Sequence, residues 1–222
     1  MEGALIGASI RRIEDQRLLT GAGRYTDDIN HPGQAYAVFV RSPHAHADIL
    51  SIDTDRAARM PGVLGIFTID DLAASGVAEI PTGIAGRGDS YPNRDGSPMA
   101  NPPYLVLAKD RVRYVGEAIA MVIASSAANA AAAAEAVIIE YHALAPVIGA
   151  DQAALPDRPQ IWPQAPRNTC YDWGAGDAVA VAQALENSHQ VTVLDVEIGR
   201  IVPAFMEPRA ALANFDAGSN RF

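Results

Sequence analysis

Ten residues, Ala127–Ala136, read AANAAAAAEA, and they leave the chain few ways to fold. Alanine is the best helix former, but a helix made of it has no bulk to key into its neighbours. It can hold its place only by lying very close to a sheet, so we place it flat against the two strands that flank it. Those flanks are strand-like. Val112, Tyr114, Ala118, Ala120 and Val122 alternate with their neighbours around a Gly116–Glu117 break, which is the pattern of a half-buried strand with a bend or bulge. Val137, Ile138 and Ile139 restore β-branched character before Tyr141, and Ser125–Ser126 offers a hydroxyl to cap the first helical amides. Arg111–Leu144 is therefore one strand–helix–strand unit. If the face carrying Ala131 and Ala132 meets the sheet, leucine at either position should cost about 1–3 kcal/mol by overpacking.

Around this unit the chain reads in order. Residues 1–34 form a polar, glycine-punctuated arm ending in the turn His31–Pro32–Gly33. Ala35–Arg41 is a strand, Ser42–Pro43 interrupts it, and Ala47–Ile52 is a second. Asp53 or Thr54 caps a helix over Asp55–Met60 that Pro61–Gly62 stops. Val63–Thr68 is a buried strand, and Thr68 or Asp70 opens a short helix through Ala74. Ser75–Pro103 is rich in glycine and proline without periodicity, and a loop of that length is generally functional or mobile. Tyr104–Lys109 and Val112–Ala124 make a strand pair around Asp110–Arg111. The expected class is α+β, with helices on one side of a mixed sheet. Prolines recur from Ala145 to Asp172, marking an extended connector over a surface. Gly176–Ser188 is helical, capped by Asp177. His189–Val202 alternates as a long strand, and Arg209–Phe215 begins another before the turn Asp216–Asn220. The sequence stops at Phe222, in mid-architecture.

Composition narrows the function classes. Hydrophobic residues at 49% and charged residues at 19% are those of a globular chain with a real core. No apolar run reaches the length of a membrane span, and the N-terminal residues lack the order of a secretory signal. A net charge of −9 opposes general nucleic-acid binding. The single cysteine, Cys170, excludes an internal disulfide framework and suits the reducing cytoplasm.

Candidate chemistry is sparse. His44, His46 and Asp48 are spaced to share one face of a strand, but Pro43 disturbs that strand and no fourth ligand is near, so packing or hydrogen-bonding roles are favoured. Cys170 has no local group to lower its pKa, with His189 the nearest downstream histidine. Gly21–Arg24 and Gly83–Gly88 lack the strand-to-helix setting and Gly-Lys-Ser/Thr ending of a phosphate loop. Glu117, just past a glycine in a strand expected to be buried, is a candidate buried acid or an anchor for backbone amides. Glu207, followed by Pro208 and Arg209, forms a charged pair at a strand entry. No constellation here assembles a catalytic or metal centre.

Five runs nevertheless occur in a telling order: Leu19–Asp28 (LTGAGRYTDD), Val40–Ala47 (VRSPHAHA), Met60–Leu64 (MPGVL), Val112–Ala120 (VRYVGEAIA) and Met206–Arg209 (MEPR). Together they resemble the N-terminal portion of the large, molybdenum-binding subunit of the xanthine dehydrogenase, aldehyde oxidase and aerobic carbon monoxide dehydrogenase family. The resemblance implies an α/β hammerhead domain over 35–144, a connector with a short helix over 145–187, and the truncated start of a molybdopterin-binding domain over 188–222. It also implies that the family's molybdenum-site positions lie beyond this chain, so no catalytic, cofactor or metal residue is assigned in it. Arg41, Ser42, His44, His46, Gly116, Glu117, Glu207 and Arg209 are the motif residues with expected structural or interface roles.

The complete enzyme of such a family hydroxylates an aldehyde, an N-heterocycle or a carbon monoxide-type substrate. It uses molybdopterin, [2Fe-2S] clusters and FAD, often on separate subunits. Expected partners are the remainder of the molybdenum subunit, an iron–sulfur subunit and an FAD subunit, met through the arm and the Ser75–Pro103 loop. A homodimer through exposed strand edges beyond Ser188 is a further expectation. The alternatives are a freestanding binding or assembly module with the same fold, and, as a minor reading, a small metal or thiol enzyme using His44, His46, Asp48 or Cys170.

Overall fold

The structure is a computed structural model that describes residues 7, 9–82, 91–196, 198–199, 201–205, 207 and 209–222. It divides into two units: Ala35–Val191, and Met1–Gln34 together with Thr192–Phe222.

The larger unit is built on two three-stranded sheets. Strands β1 (Tyr36–Arg41), β2 (Ala47–Asp53), β3 (Val63–Phe67), β4 (Arg111–Val112), β5 (Ala118–Ala124) and β6 (Ile138–Ala143) pair as β1-β5-β3 and β4-β2-β6. Every pairing is antiparallel. The α+β class therefore holds, but the expected single mixed sheet is two antiparallel ones. The cause lies at Gly116. Its φ of +87° suits glycine, and it turns the chain between β4 and β5, which go to different sheets. The expected continuous strand over Val112–Ala124 is split there. Tyr104–Lys109, read as a strand, forms none. Its Leu107 and Ala108 are buried, and the Ala108 amide donates to the Ala118 carbonyl at 2.7 Å.

The alanine helix, α4 (Ala127–Ala136), starts at Ser126, whose hydroxyl accepts from the Asn129 amide at 3.2 Å. It packs on β1 and β5, with α2 (Asp55–Ala58) and β3 alongside. Of its two flanking strands, β5 lies in the sheet beneath it whereas β6 joins the other sheet. The buried face carries Ala130 and Ala133, while Ala131 and Ala132 are exposed. The expected cost of leucine at those two positions thus belongs to their neighbours. Close approach is also enforced at Gly62, where φ is +79° and an added Cβ would sit 2.2 Å from Asn129 Nδ2.

The second sheet has its own core of Ala47, Ala108, Val112 and Ile119, flanked by Ile49, Ile52, Ile139 and Tyr141. Ile119 belongs to β5 of the first sheet, so one strand serves both cores. The expected helix after Thr68 is α3 (Ile69–Ala74), opened by a capping box between Thr68 and Asp71. β3, expected to be buried, is only partly so, with Leu64 65% exposed.

The proline-rich connector is more ordered than an extended strap. It carries α5 (Ala150–Ala153), a 3₁₀ turn at Pro166–Asn168, and then α6 (Ala178–Glu186), whose cap Asp177 accepts from the Ala180 amide at 2.9 Å. Asn168 ties the connector together: its side chain accepts from the Ile161 amide and donates to the Ala153 and Pro159 carbonyls. The described part of the long loop is pinned to it by the Ala100 amide on the Cys170 carbonyl and the Arg94 amide on the Asp172 carbonyl.

In the smaller unit the arm folds into α1 (Asp15–Leu19) and a 3₁₀ turn at Thr26–Asp28. The strands expected over His189–Val202 and Arg209–Phe215 are absent among the described residues, which have no neighbouring strand to complete their backbone hydrogen bonds. The turn Asp216–Asn220 does form, closed by a bridge between Asp216 and Arg221, with the Phe215 and Phe222 rings 5.0 Å apart. No described helix is long and apolar enough to cross a membrane.

Candidate functional site

Four of the motif residues meet where β1 ends and β5 begins. The Ser42 amide donates to the Glu117 carbonyl at 2.9 Å, and the Gly116 amide donates to the Ser42 carbonyl at 2.8 Å. Arg41 Nη1 donates to the Gly116 carbonyl at 2.8 Å, and its guanidinium carbon lies 5.5 Å from the Phe39 ring centre. The Glu117 carboxylate turns inward and accepts from the Arg113 amide. Burial raises the Glu117 pKa above the usual carboxylate range, against the lowering pull of that amide and of the Arg113 charge. Of the two readings of Glu117, a buried acid and an anchor for amides, the structure shows the second, in a side chain that is only partly buried.

The Ser42 hydroxyl, 3% exposed, closes the corner after β1: it donates to the His44 carbonyl and accepts from the His44 amide. His44 then lies with its ring 4.7 Å from that of Tyr141. His46 is buried just before β2. Its Nδ1 is 2.8 Å from the Ala145 carbonyl, so Nδ1 carries the proton, because a carbonyl only accepts. Its Nε2 is buried without a partner. Asp48 pairs with Arg111 across the β2–β4 ladder, and that hydrogen bond holds its carboxyl below the usual range.

Of the three residues expected to share a strand face, only Asp48 lies in β2, with His44 and His46 in the turn before it, and each side chain is committed to a different partner. Among the described residues no three His, Cys, Asp or Glu side chains gather where a metal ion could sit. Cys170 is exposed and lines an open cleft of about 610 Å³ with Arg94, Met99, Gln164 and Asp172. No histidine is among the described residues around it. Gly21–Arg24 leads into the 3₁₀ turn, and Gly83–Gly88 lies outside the described residues.

Glu207 and Arg209 belong to the smaller unit. Glu207 Oε1 accepts from the Thr26 amide at 3.0 Å, joining the arm to the C-terminal segment. Arg209 is exposed, and the expected charged pair between the two is not among the described ion pairs.

Sequence reasoning missed one further contact. The Arg113 guanidinium lies 3.5 Å from the Trp162 ring centre and donates through Nε to the Ile161 carbonyl and through Nη1 to the Arg111 carbonyl. Burial lowers the Arg113 pKa, with the Glu117 charge opposing. An arginine and a tryptophan this far apart along the chain carry no local signal of their contact. The arrangement fastens the connector to the strand junction, and its donors and acceptors are spent on the chain's own backbone.

The chain is 37% identical over 217 residues to the nicotine 6-hydroxylase large subunit of Paenarthrobacter nicotinovorans, covering 98% of this chain and 25% of that one. It is 32% identical over 215 residues to the carbon monoxide dehydrogenase large chain of Hydrogenophaga pseudoflava, covering 91% and 25%. The aldehyde oxidoreductase structure from Desulfovibrio desulfuricans superposes with a TM-score of 0.56 at 28% identity, over 72% of this chain and 17% of that one. The chain spans a quarter or less of the length of these curated relatives. Residues 20–145 match the a/b hammerhead domain of aldehyde oxidase and xanthine dehydrogenase, and the chain belongs to that family.

Proposed function

We propose that this chain is the N-terminal portion of the large subunit of a molybdenum hydroxylase and contributes the hammerhead fold and contact surfaces rather than reacting groups. One observation carries the reading: alignment with a hydroxylase large subunit runs through 98% of this chain yet takes in only 25% of the relative. The geometry supports it, because the motif residues are engaged in holding strands, corner and connector together. In this reading 35–144 is the hammerhead domain, 145–187 the connector and 188–222 the start of a molybdopterin-binding domain.

The complete enzyme would insert oxygen into an aldehyde, an N-heterocycle or a carbon monoxide-type substrate, with molybdopterin, [2Fe-2S] and FAD held by the rest of the large subunit and by partner subunits. The single cysteine fits a cytoplasmic setting. The test is to purify the 222-residue chain from cells that make the molybdenum cofactor and to measure metal and turnover. We expect neither. We expect both once the polypeptide corresponding to the other three-quarters of such a subunit is supplied with the iron–sulfur and FAD subunits. Stoichiometric molybdenum on the chain alone would refute the reading.

A further inference from the structure

Two stretches outside the sheets hold to each other and reach the strands through one side chain. The described backbone hydrogen bonds of residues 146–169 all stay within that stretch. Its side chains do the same: Arg167 Nε donates to the Ala154 carbonyl, Gln160 donates to the Trp162 and Pro163 carbonyls, and Asn168 accepts from the Ile161 amide. Residues 170–172 then pair with the long loop. The Ala100 amide donates to the Cys170 carbonyl at 2.7 Å, the Arg94 amide to the Asp172 carbonyl at 2.9 Å, and the Asp172 amide to Asn93 Oδ1 at 2.8 Å. Past Asp172 the chain runs into α6, which has no buried residue, so α6 supplies no packed contact to fix the pair.

The roots of both stretches are fixed. The Ile80 amide donates to the Tyr104 carbonyl at 2.8 Å, tying the two sides of the loop together. The Leu144 amide donates to the His46 carbonyl at 2.9 Å, and His46 Nδ1 holds the Ala145 carbonyl. Away from these roots the contacts with the strand region converge on Arg113. Its Nε donates to the Ile161 carbonyl at 3.2 Å, and its guanidinium lies 3.5 Å from the Trp162 ring centre. A guanidinium against an indole, partly withdrawn from water, is among the strongest contacts between a cation and a ring. The Arg113 amide donates to the Glu117 carboxylate and its Nη1 to the Arg111 carbonyl. The clasp is thus seated in the turn between β4 and β5, and the connector brings only a ring and a carbonyl to it.

We propose that residues 91–103 and 146–172 form one lid, hinged at its roots and closed on the β4–β5 turn by Arg113 and Trp162. The two stretches share hydrogen bonds, so they open together when the clasp lets go, while the strands stay paired. Such an opening lies below global unfolding in free energy. The lid concerns this chain by itself, and it can fail without the hydroxylase reading failing.

Hydrogen exchange resolved by residue on the 222-residue chain tests it. In Arg113→Ala, the amides of Arg94 and Ala100 in the loop and of Ile161 and Asn168 in the connector should exchange faster by one common factor of at least about ten. The paired amides of β5 should keep the parent's rates. Alanine retains the amide that Glu117 accepts from, so the turn itself stays in place. Trp162→Leu, on the lid side of the clasp, should give the same pattern. The double variant should add little to either single one, because both remove the same contact. Unchanged exchange in both stretches would overturn the proposal, and so would acceleration of one stretch without the other, or additive effects in the double variant. Acceleration of β5 by the same factor, or unfolding of the chain by both single variants, would place the contact in the core and would overturn it too.

Discussion

Two stretches of this chain carry the same alternating, β-branched signature and end up differently. Ala118–Ala124 is a strand hydrogen-bonded on both sides, with Ile119, Ala120, Val122 and Ala124 sealed from solvent. Val193–Val202 is exposed and, among its described residues, unpaired. Alternation therefore reports which side chains agree on a face. Whether a strand forms depends on what lies beside and beneath it. β5 has β1 and β3 at its edges, α4 packed against it, and a second core that takes Ile119.

The largest test of that contrast is a pair of truncations. Ile119→Ala should cost about 2–5 kcal/mol, as for a fully buried isoleucine, while Ile198→Ala should stay within about 0.5 kcal/mol in the monomer. Urea unfolding followed by circular dichroism at low protein concentration measures both. Equal costs would erase the distinction between the regions.

A second pair uses glycine. Gly62→Ala places a Cβ against Asn129 and Ser125 at a positive φ, and should lose roughly 1–3 kcal/mol of stability through backbone strain. Gly199→Ala, with nothing within 4 Å and no positive φ, should be near neutral. The third pair lies within α4. Leucine at Ala130 or Ala133 should destabilise by about 1–3 kcal/mol, whereas leucine at Ala131 or Ala132 should change the melting temperature little. If all four behave alike, the helix does not rest on its sheet in the way its burial indicates.

How much could be read beforehand follows the same division. The helix over Ala127–Ala136, its Ser126 cap, the Asp177 cap, the Thr68 helix start and the stop at Pro61–Gly62 were legible, because each is set by residues within a few positions of one another. The assignment of β4 and β5 to separate sheets was not. Gly116 announces a break, but nothing local says that the chain changes sheets there. The buried side of α4 was also hidden, since an alanine run has almost no amphipathic asymmetry to show which face turns inward. The candidate residues were findable as motifs, yet their partners were not: the carbonyl of Ala145 for His46, the ring of Trp162 for Arg113 and the amide of Thr26 for Glu207 are each brought close only by the folded chain.

The smallest expected effect separates two carboxylates of the larger unit by the sign of their pH dependence. Asp48 is held below the usual range by Arg111. Its contribution is present above the unfolded-state value and disappears as pH falls through the lowered one. Glu117 is raised, chiefly by burial, so its contribution is present below the unfolded-state value and is lost as pH rises through the raised one. Urea unfolding of the parent across the acid range should then show both limbs. Asp48→Asn should flatten the one at lower pH. Glu117→Gln, which keeps an oxygen to accept from the Arg113 amide, should flatten the decline just above the ordinary glutamate range. A Glu117→Gln variant with the parent's slope in that window would mean that the carboxylate is solvated in the folded protein, and that the junction is held by its backbone hydrogen bonds and the side chains of Arg41 and Ser42 without it.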